Sequence, residues 1–226
     1  MTIEATGADS QPISQPITQR SRQPITQRSW QPPQTILDRL KLETAAEHAA
    51  IEGATGVMDP NLDLDAYRSY LARTFGFYRV VEDMMCRAWV WEELGLSTSA
   101  RLKLPLLLRD LDELGVIEPL RLPECDAPPE WPSLAEAVGG AYVLEGSTLG
   151  GRVIARHVRQ RLGEDVPRHF LEGYWAQTGE YWQDFRASLL VFASSEDIQD
   201  RVIAGAKSTF NAFNRWLTAS KLTESK

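Results

Sequence analysis

Cysteine is scarce in this chain. Only Cys86 and Cys125 occur, with no CxxC pair and no metal-ligand spacing. That argues against a disulfide framework or a zinc-type cluster and predicts a reducing, cytoplasmic setting. Histidine is almost as rare, with only His48, His157 and His169. None has a glutamate three residues before it, since Ala45, Ile154 and Val166 stand there. This removes the paired Glu-x-x-His motifs of a di-iron carboxylate site. A basic excess is also lacking: 24 Lys and Arg face 31 Asp and Glu, a formal net charge of −7. Nucleic-acid binding usually needs a basic stripe and is not expected, while local charge patches remain available to a protein partner. No apolar run has the length of a membrane span, and MTIEATGADSQ has neither the basic nor the apolar region of a signal peptide. No membrane association is expected.

What is present suits one domain with a sizeable core, or at most two small ones: 226 residues, 43% hydrophobic and 24% charged. Residues 1–34 stand apart. Their QPISQPITQRSRQPITQRSWQPPQ repeats a Gln-Pro-Ile-rich unit with few large apolar side chains. Such a segment cannot offset the entropy of ordering, so a disordered tail without catalytic role is expected. From residue 35 to 226 the pattern is helical, with little period-two alternation. Helices are predicted from about Thr35 to Gly53, from the Asp63/Asp65 caps to about Gly95, and from the Ser97/Ser99 cap to before Gly115 with a kink or break at Pro105. A Pro-rich loop follows from Gly115 to Pro132. Further helices are predicted at about Ser133–Gly163, Pro167–Phe192 and Ser195–Ser220. The fold class is therefore all-α, a single compact multi-helix domain.

Along the first helix, Leu37, Lys41, Thr44, His48 and Glu52 fall within roughly 40° of one direction. A core face would be uniformly apolar, and this one is mixed. Neutral imidazole is a good iron ligand. Lys41, two turns earlier, could reach a ligand carboxylate about 10 Å along the axis. Glu52, one turn later, could orient the ring through its second nitrogen, directly or through water. Taken alone, the helix reads more simply as a half-buried histidine with surface Lys and Glu beside it.

The segment AVGGAYVLEGSTLGGRVIARHVRQRLG is more unusual. Its apolar spacing is helical, yet Gly139, Gly140, Gly146, Gly150 and Gly151 fall inside it. Each interior glycine costs about 1 kcal/mol relative to alanine, so together they forfeit roughly 5 kcal/mol, comparable to a domain's net stability. Gly139, Gly146 and Gly150 share one face, with Tyr142 between them. Either small residues let another helix approach, or a flat ligand lies against bare backbone.

These residues carry a resemblance. Lys41–Glu52, K-L-E-T-A-A-E-H-A-A-I-E, resembles the first-helix motif of heme oxygenases, and Tyr142–Gly151, Y-V-L-E-G-S-T-L-G-G, resembles their distal-helix motif. Its E-G-S-x-L-G-G form is similar to the bacterial branch associated with bacteriophytochromes. Gly205–Leu217 resembles the last pocket helix, and the likeness runs from about Ile36 to Ala219. The resemblance implies oxidative opening of heme b to biliverdin, ferrous iron and carbon monoxide, using dioxygen and external electrons. It implies His48 as axial iron ligand, Glu52 as its orienting carboxylate, Lys41 and Arg186 as partners of the heme propionates, and Tyr142 and Phe210 as pocket aromatics with Phe213 packing behind. Gly146 and Gly150 would press on the distal heme face and steer oxygen. Where animal relatives carry an aspartate, Ser147 stands here. Serine exchanges hydrogen bonds but holds no charge, which gives bound water a larger part in proton delivery.

The electrons must come from outside, because no flavin or nicotinamide fingerprint is present. The implied partner is a ferredoxin or a reductase, and a bacteriophytochrome could accept the product. The alternative on the same residues is a heme-binding module that stores or senses heme without degrading it. A helix-packing interaction domain is a further one. His157 and His169 read as surface or structural residues, and Trp89, Trp91, Trp175, Trp182 and Trp216 as helical core or interface residues. The run Arg152, Arg156, Arg159, Arg161 reads as a solvated helix end, or else as a docking patch for an acidic ferredoxin.

Overall fold

A capping box starts the first helix, α1 (Ile36–Glu43): the Thr35 hydroxyl accepts from the Asp38 amide, and the Asp38 carboxylate accepts from the Thr35 amide at 3.0 Å. This is a computed structural model, and it describes residues 35–219. The reading of a tail over residues 1–34 lies outside that range, as does the predicted helix end at Ser220. Every regular element among the described residues is helical, and none is a strand, as the sequence pattern requires.

The single first helix expected through Gly53 is two. The Thr44 hydroxyl donates to the Leu40 carbonyl at 2.7 Å, a back-bond that bends helices. The backbone ladder runs on through the bend, with the His48 amide on the Thr44 carbonyl at 3.0 Å, into α2 (Ala45–Ala54). Ile36 and Leu40 of α1 are buried, whereas α2 buries no residue.

The second expected helix is also interrupted. Asp63 caps α3 (Leu64–Arg87), which stops before Trp89 in a left-handed conformation, φ 54°. The turn leaves Trp89 64% exposed and swings Trp91 of α4 (Val90–Glu93) into the core at 1%. Trp89 is thus neither helical nor core. Pro105 sits in the first turn of α6 (Leu104–Glu113), separated from α5 (Thr98–Arg101), so it marks a break. A short 3-10 turn at Pro119–Arg121 interrupts the following loop.

Ser133 caps α7 (Leu134–Leu162), 29 residues long, within a residue of the expected bounds. The helix expected over Pro167–Phe192 is three pieces: α8 (His169–Glu172), a 3-10 turn at Trp175–Gln177, and α9 (Thr178–Phe192). Positive φ at Gly173 and Trp175 causes the breaks. Ser195 caps α10 (Glu196–Thr218).

Two buried carboxylates join these pieces. Glu82 of α3 accepts from the Lys103 and Leu104 amides, at 2.7 and 3.2 Å, at the start of α6. Asp110 of α6 accepts from the His169 and Phe170 amides, at 2.8 and 2.9 Å, at the start of α8. Each supplies from a distant helix the cap that the local sequence lacks. Burial pushes both carboxyls above their ordinary range, against the pull of those amide donors.

The central contact is α7 against α10. A Cβ on Gly139 would lie 2.0 Å from the Val202 carbonyl oxygen and 2.7 Å from the Ala206 nitrogen. One on Gly205 would lie 1.9 Å from the Glu136 oxygen. The two helices cross backbone to backbone, which only glycine permits. α3 packs on both, and α10 also carries α2.

Candidate functional site

His48 projects from α2 with its side chain 59% exposed, available to a ligand. Its Nδ1 lies 3.5 Å from the Glu52 carboxylate one turn on. That engages Nδ1, and among the described residues Nε2 makes no hydrogen bond. The Phe210 ring of α10, itself buried, meets the imidazole edge-on at 5.8 Å and 72°. His48, Glu52 and Phe210 thus form one group on the α2–α10 contact. Phe213, a turn later, stacks on Phe77 at 4.5 Å and belongs to the packing behind.

Two cations, Lys41 in the last turn of α1 and Arg186 of α9, lie near enough to Asp38 to act on its charge. The Asp38 carboxyl is held below its ordinary range by the Thr35 hydrogen bonds first, and then by the charges of Lys41 and Arg186. Lys41 and Arg186 are exposed and share this neighbour although 145 residues separate them in sequence (186 − 41). They can bind carboxylate groups of a ligand without a burial cost.

The glycines of α7 divide into two classes. Gly139 faces the α10 backbone, Gly140 faces the Trp131 indole at 2.1 Å from an added Cβ, and Gly151 faces the Leu171 carbonyl oxygen at 2.4 Å. These three serve packing. Gly139 therefore leaves the ligand face on which its helical phase places it. Gly146 and Gly150 are different: an added Cβ meets only Trp182, at 4.0 Å, in the first case and nothing within 4 Å in the second. Helix packing does not require glycine at either position. Tyr142, half-buried one turn before Gly146, has its ring 5.8 Å from Trp182. Bare backbone flanked by Tyr142 and Trp182 suits a flat apolar ligand, and the exposed imidazole on α2 suits its metal.

Ser147 is exposed on α7. Its hydroxyl donates to the Leu144 carbonyl at 2.7 Å and lies 3.0 Å from the Tyr78 hydroxyl. Tyr78 is buried, which pushes its phenol far above the ordinary value, so it stays protonated. Sequence reasoning missed Tyr78, 69 positions away from Ser147; nothing in its spacing marks it.

A buried ion cluster beneath the distal segment was also missed. Glu145, beside Gly146, is 1% exposed and accepts from Lys103 Nζ at 2.7 Å, from the Tyr174 hydroxyl at 2.6 Å, and from Arg101. Burial raises its carboxyl, but the Lys103 charge and the hydrogen bonds of Lys103 and Tyr174 more than offset this and bring it below the usual range. A glutamate directly after the apolar stretch Ala137–Leu144, at a buried phase of α7, was the available signal. His157 and His169 make structural ties, to the Asp59 carbonyl at 2.9 Å and to Glu113 at 3.1 Å.

Residues 34–219 match the family described as Heme oxygenase. A heme oxygenase of Xanthomonas campestris pv. campestris (strain 8004) is 32% identical over 160 residues, covering 70% of this chain and 93% of that protein. Among solved structures, the NO- and CO-bound heme oxygenase of Neisseria meningitidis superposes with a TM-score of 0.69 at 19% identity, over 85% of this chain and 98% of that one. Heme oxygenase from Leptospira interrogans gives 0.68 at 17% identity, over 83% and 100%. At those identities the superpositions establish the all-α fold alone. The family match spans most of the chain, and the Xanthomonas relative agrees with it: this chain belongs to the heme oxygenase family.

Proposed function

We propose that the protein opens heme b to biliverdin, releasing ferrous iron and carbon monoxide, with dioxygen and external electrons. Beyond family membership, the observation that carries this reading is the pair of open glycines, Gly146 and Gly150, on a helix whose other glycines are all consumed by packing. Heme is the molecule cut and also supplies the redox-active iron. The chain's own residues position it. His48 Nε2 ligates the iron, Glu52 orients the ring through Nδ1, and the Phe210 edge limits the ring's rotation. Lys41 and Arg186 take the two propionates. Gly146 and Gly150 would offer bare backbone to the face of the heme away from His48, with no side chain in the way of a small ligand such as dioxygen. Tyr142 and Trp182 wall that side.

Ser147 serves as an acceptor in this reading. Its one proton is committed to Leu144 and one lone pair to Tyr78, which leaves the other lone pair to hold a water. That water, rather than a charged side chain, supplies the proton. Electrons come from a ferredoxin or a reductase, and a bacteriophytochrome accepts the product. No described helix is long and apolar enough to cross a membrane. The two unpaired cysteines fit a cytoplasmic setting.

The test is an absorption spectrum of the protein with one equivalent of hemin, before and after ascorbate in air. A sharp heme band decaying to a broad red-absorbing pigment is expected. A stable band, unchanged when a ferredoxin system is supplied, would replace this reading with storage or sensing. No heme band at all would remove it.

A further inference from the structure

The C-terminal half of α7 and the turns around α8 enclose a cleft of about 330 Å³ whose lining includes Arg152, Arg156, Arg159 and Arg168. The chain as a whole carries a net charge of −7, so four guanidiniums in one cleft run against its character. Arg168 is mostly buried and donates to the Glu164 and Val166 carbonyls at 3.0 and 2.6 Å, so the exposed charge of the cleft lies on Arg152, Arg156 and Arg159, and it is poorly neutralised. Glu172 approaches Arg168 at 3.5 Å and Glu164 approaches Arg159 at 3.6 Å, both longer than a charge-assisted hydrogen bond. Arg152 is spent on a neutral acceptor, the Trp175 carbonyl. Among the described residues Arg156 makes neither an ion pair nor a hydrogen bond.

An anchor side chain stands at the rim. Trp175 is 59% exposed although it holds a strained left-handed backbone, φ 55°. Two donors fix that conformation through its carbonyl: Arg152, and the buried Thr178 hydroxyl at 3.0 Å. A large exposed aromatic on a fixed backbone, beside arginines, has the composition of an interface centre.

The position relative to the glycines matters. Arg152, Arg156 and Arg159 lie roughly 120–180° around α7 from Gly150. A partner in the cleft is therefore separated from the glycine face by about one helix diameter, on the order of 10–12 Å. We propose that this cleft docks the electron donor, a small acidic iron–sulfur protein of the ferredoxin type. Its carboxylates pair with the guanidiniums and an apolar spot of its surface covers Trp175. The proposal rests on the reading of the chain as a heme-opening enzyme, since that reaction needs electrons the chain cannot itself store.

The test compares the full chain with R156E/R159E, both exposed positions outside the heme site. Binding of oxidised plant-type ferredoxin to the hemin-loaded protein is measured by calorimetry at low and at physiological salt, and turnover with ascorbate is followed separately. Expected are binding that weakens as salt rises, at least tenfold weaker binding by the variant, and equal ascorbate turnover in both proteins. Equal ferredoxin affinity in variant and wild type, or no ferredoxin binding by the wild type, overturns the docking site. Failure of ascorbate turnover in both proteins would instead strike the functional reading, while the binding comparison still decides the cleft.

Discussion

The Tyr78 phenol donates its hydrogen bond to the Ser147 hydroxyl, 3.0 Å away, and not the reverse, because the Ser147 proton is already on the Leu144 carbonyl at 2.7 Å. The consequence is asymmetric. Tyr78→Phe in the wild type removes one hydrogen bond and costs about 0.5–1.5 kcal/mol. In a Ser147→Ala background the buried phenol has already lost its acceptor, so the same change is neutral or stabilising. Urea denaturation of the four proteins measures this coupling. Equal costs in the two backgrounds would show that the hydroxyls do not depend on one another.

Gly150→Ala should fold and gain up to about 1 kcal/mol, since alanine is the better helix former and its Cβ meets nothing. It should nonetheless bind hemin more weakly and turn it over more slowly. Gly139→Ala should do the opposite kind of damage, losing about 1–3 kcal/mol through its clash with Val202. Denaturation curves and hemin titrations of both variants separate a ligand face from a packing face. A destabilised Gly150→Ala would refute the division.

His48→Ala should leave the melting temperature nearly unchanged, because α2 buries no residue and the side chain is mostly exposed. Heme should bind weakly and ring opening should cease. Pigment formation at the wild-type rate would exclude His48 as the iron ligand.

Glu145 predicts an acid limb. Its carboxyl sits below the ordinary glutamate value when folded. Its contribution is therefore full above that ordinary value and is lost as pH falls through the lowered one. Glu82 and Asp110, raised by burial, act in the opposite sense: they favour the folded state as pH falls. Glu145→Gln strands Arg101 and Lys103 in the interior and should cost about 3–5 kcal/mol at neutral pH. It should also flatten the loss of stability below the glutamate range. Urea midpoints between pH 7 and 3 test both effects, and an unchanged acid limb in the variant would assign it to other carboxylates.

Local chemistry decided what could be read in the sequence. The caps Thr35, Asp63, Ser133 and Ser195 marked their helix starts because each acts on amides two or three residues away. The bends at Thr44, Trp89 and Trp175 were not legible. A threonine back-bond and left-handed tryptophans are choices imposed by what the next residues must bury or contact. Glycine spacing found the unusual helix but not the split among its glycines. Gly139 and Gly150 lie near one helical phase, and only the presence of α10 at one end of α7 tells them apart. The pairings Tyr78–Ser147 and Glu145–Lys103 join segments far apart in the chain, where no periodicity reaches.

The two sides of the candidate heme site differ in firmness. The glycine helix is clamped on both sides of its bare stretch, by α10 and Trp131 at Gly139 and Gly140 and by the Leu171 carbonyl at Gly151. The histidine helix buries nothing of its own and joins α1 at the Thr44 bend. One side is an anvil and the other a jaw. On the proposed function, the histidine side is the one able to yield when a rigid planar molecule enters and its open-chain product leaves, and hydrogen exchange should find α2 opening before α7.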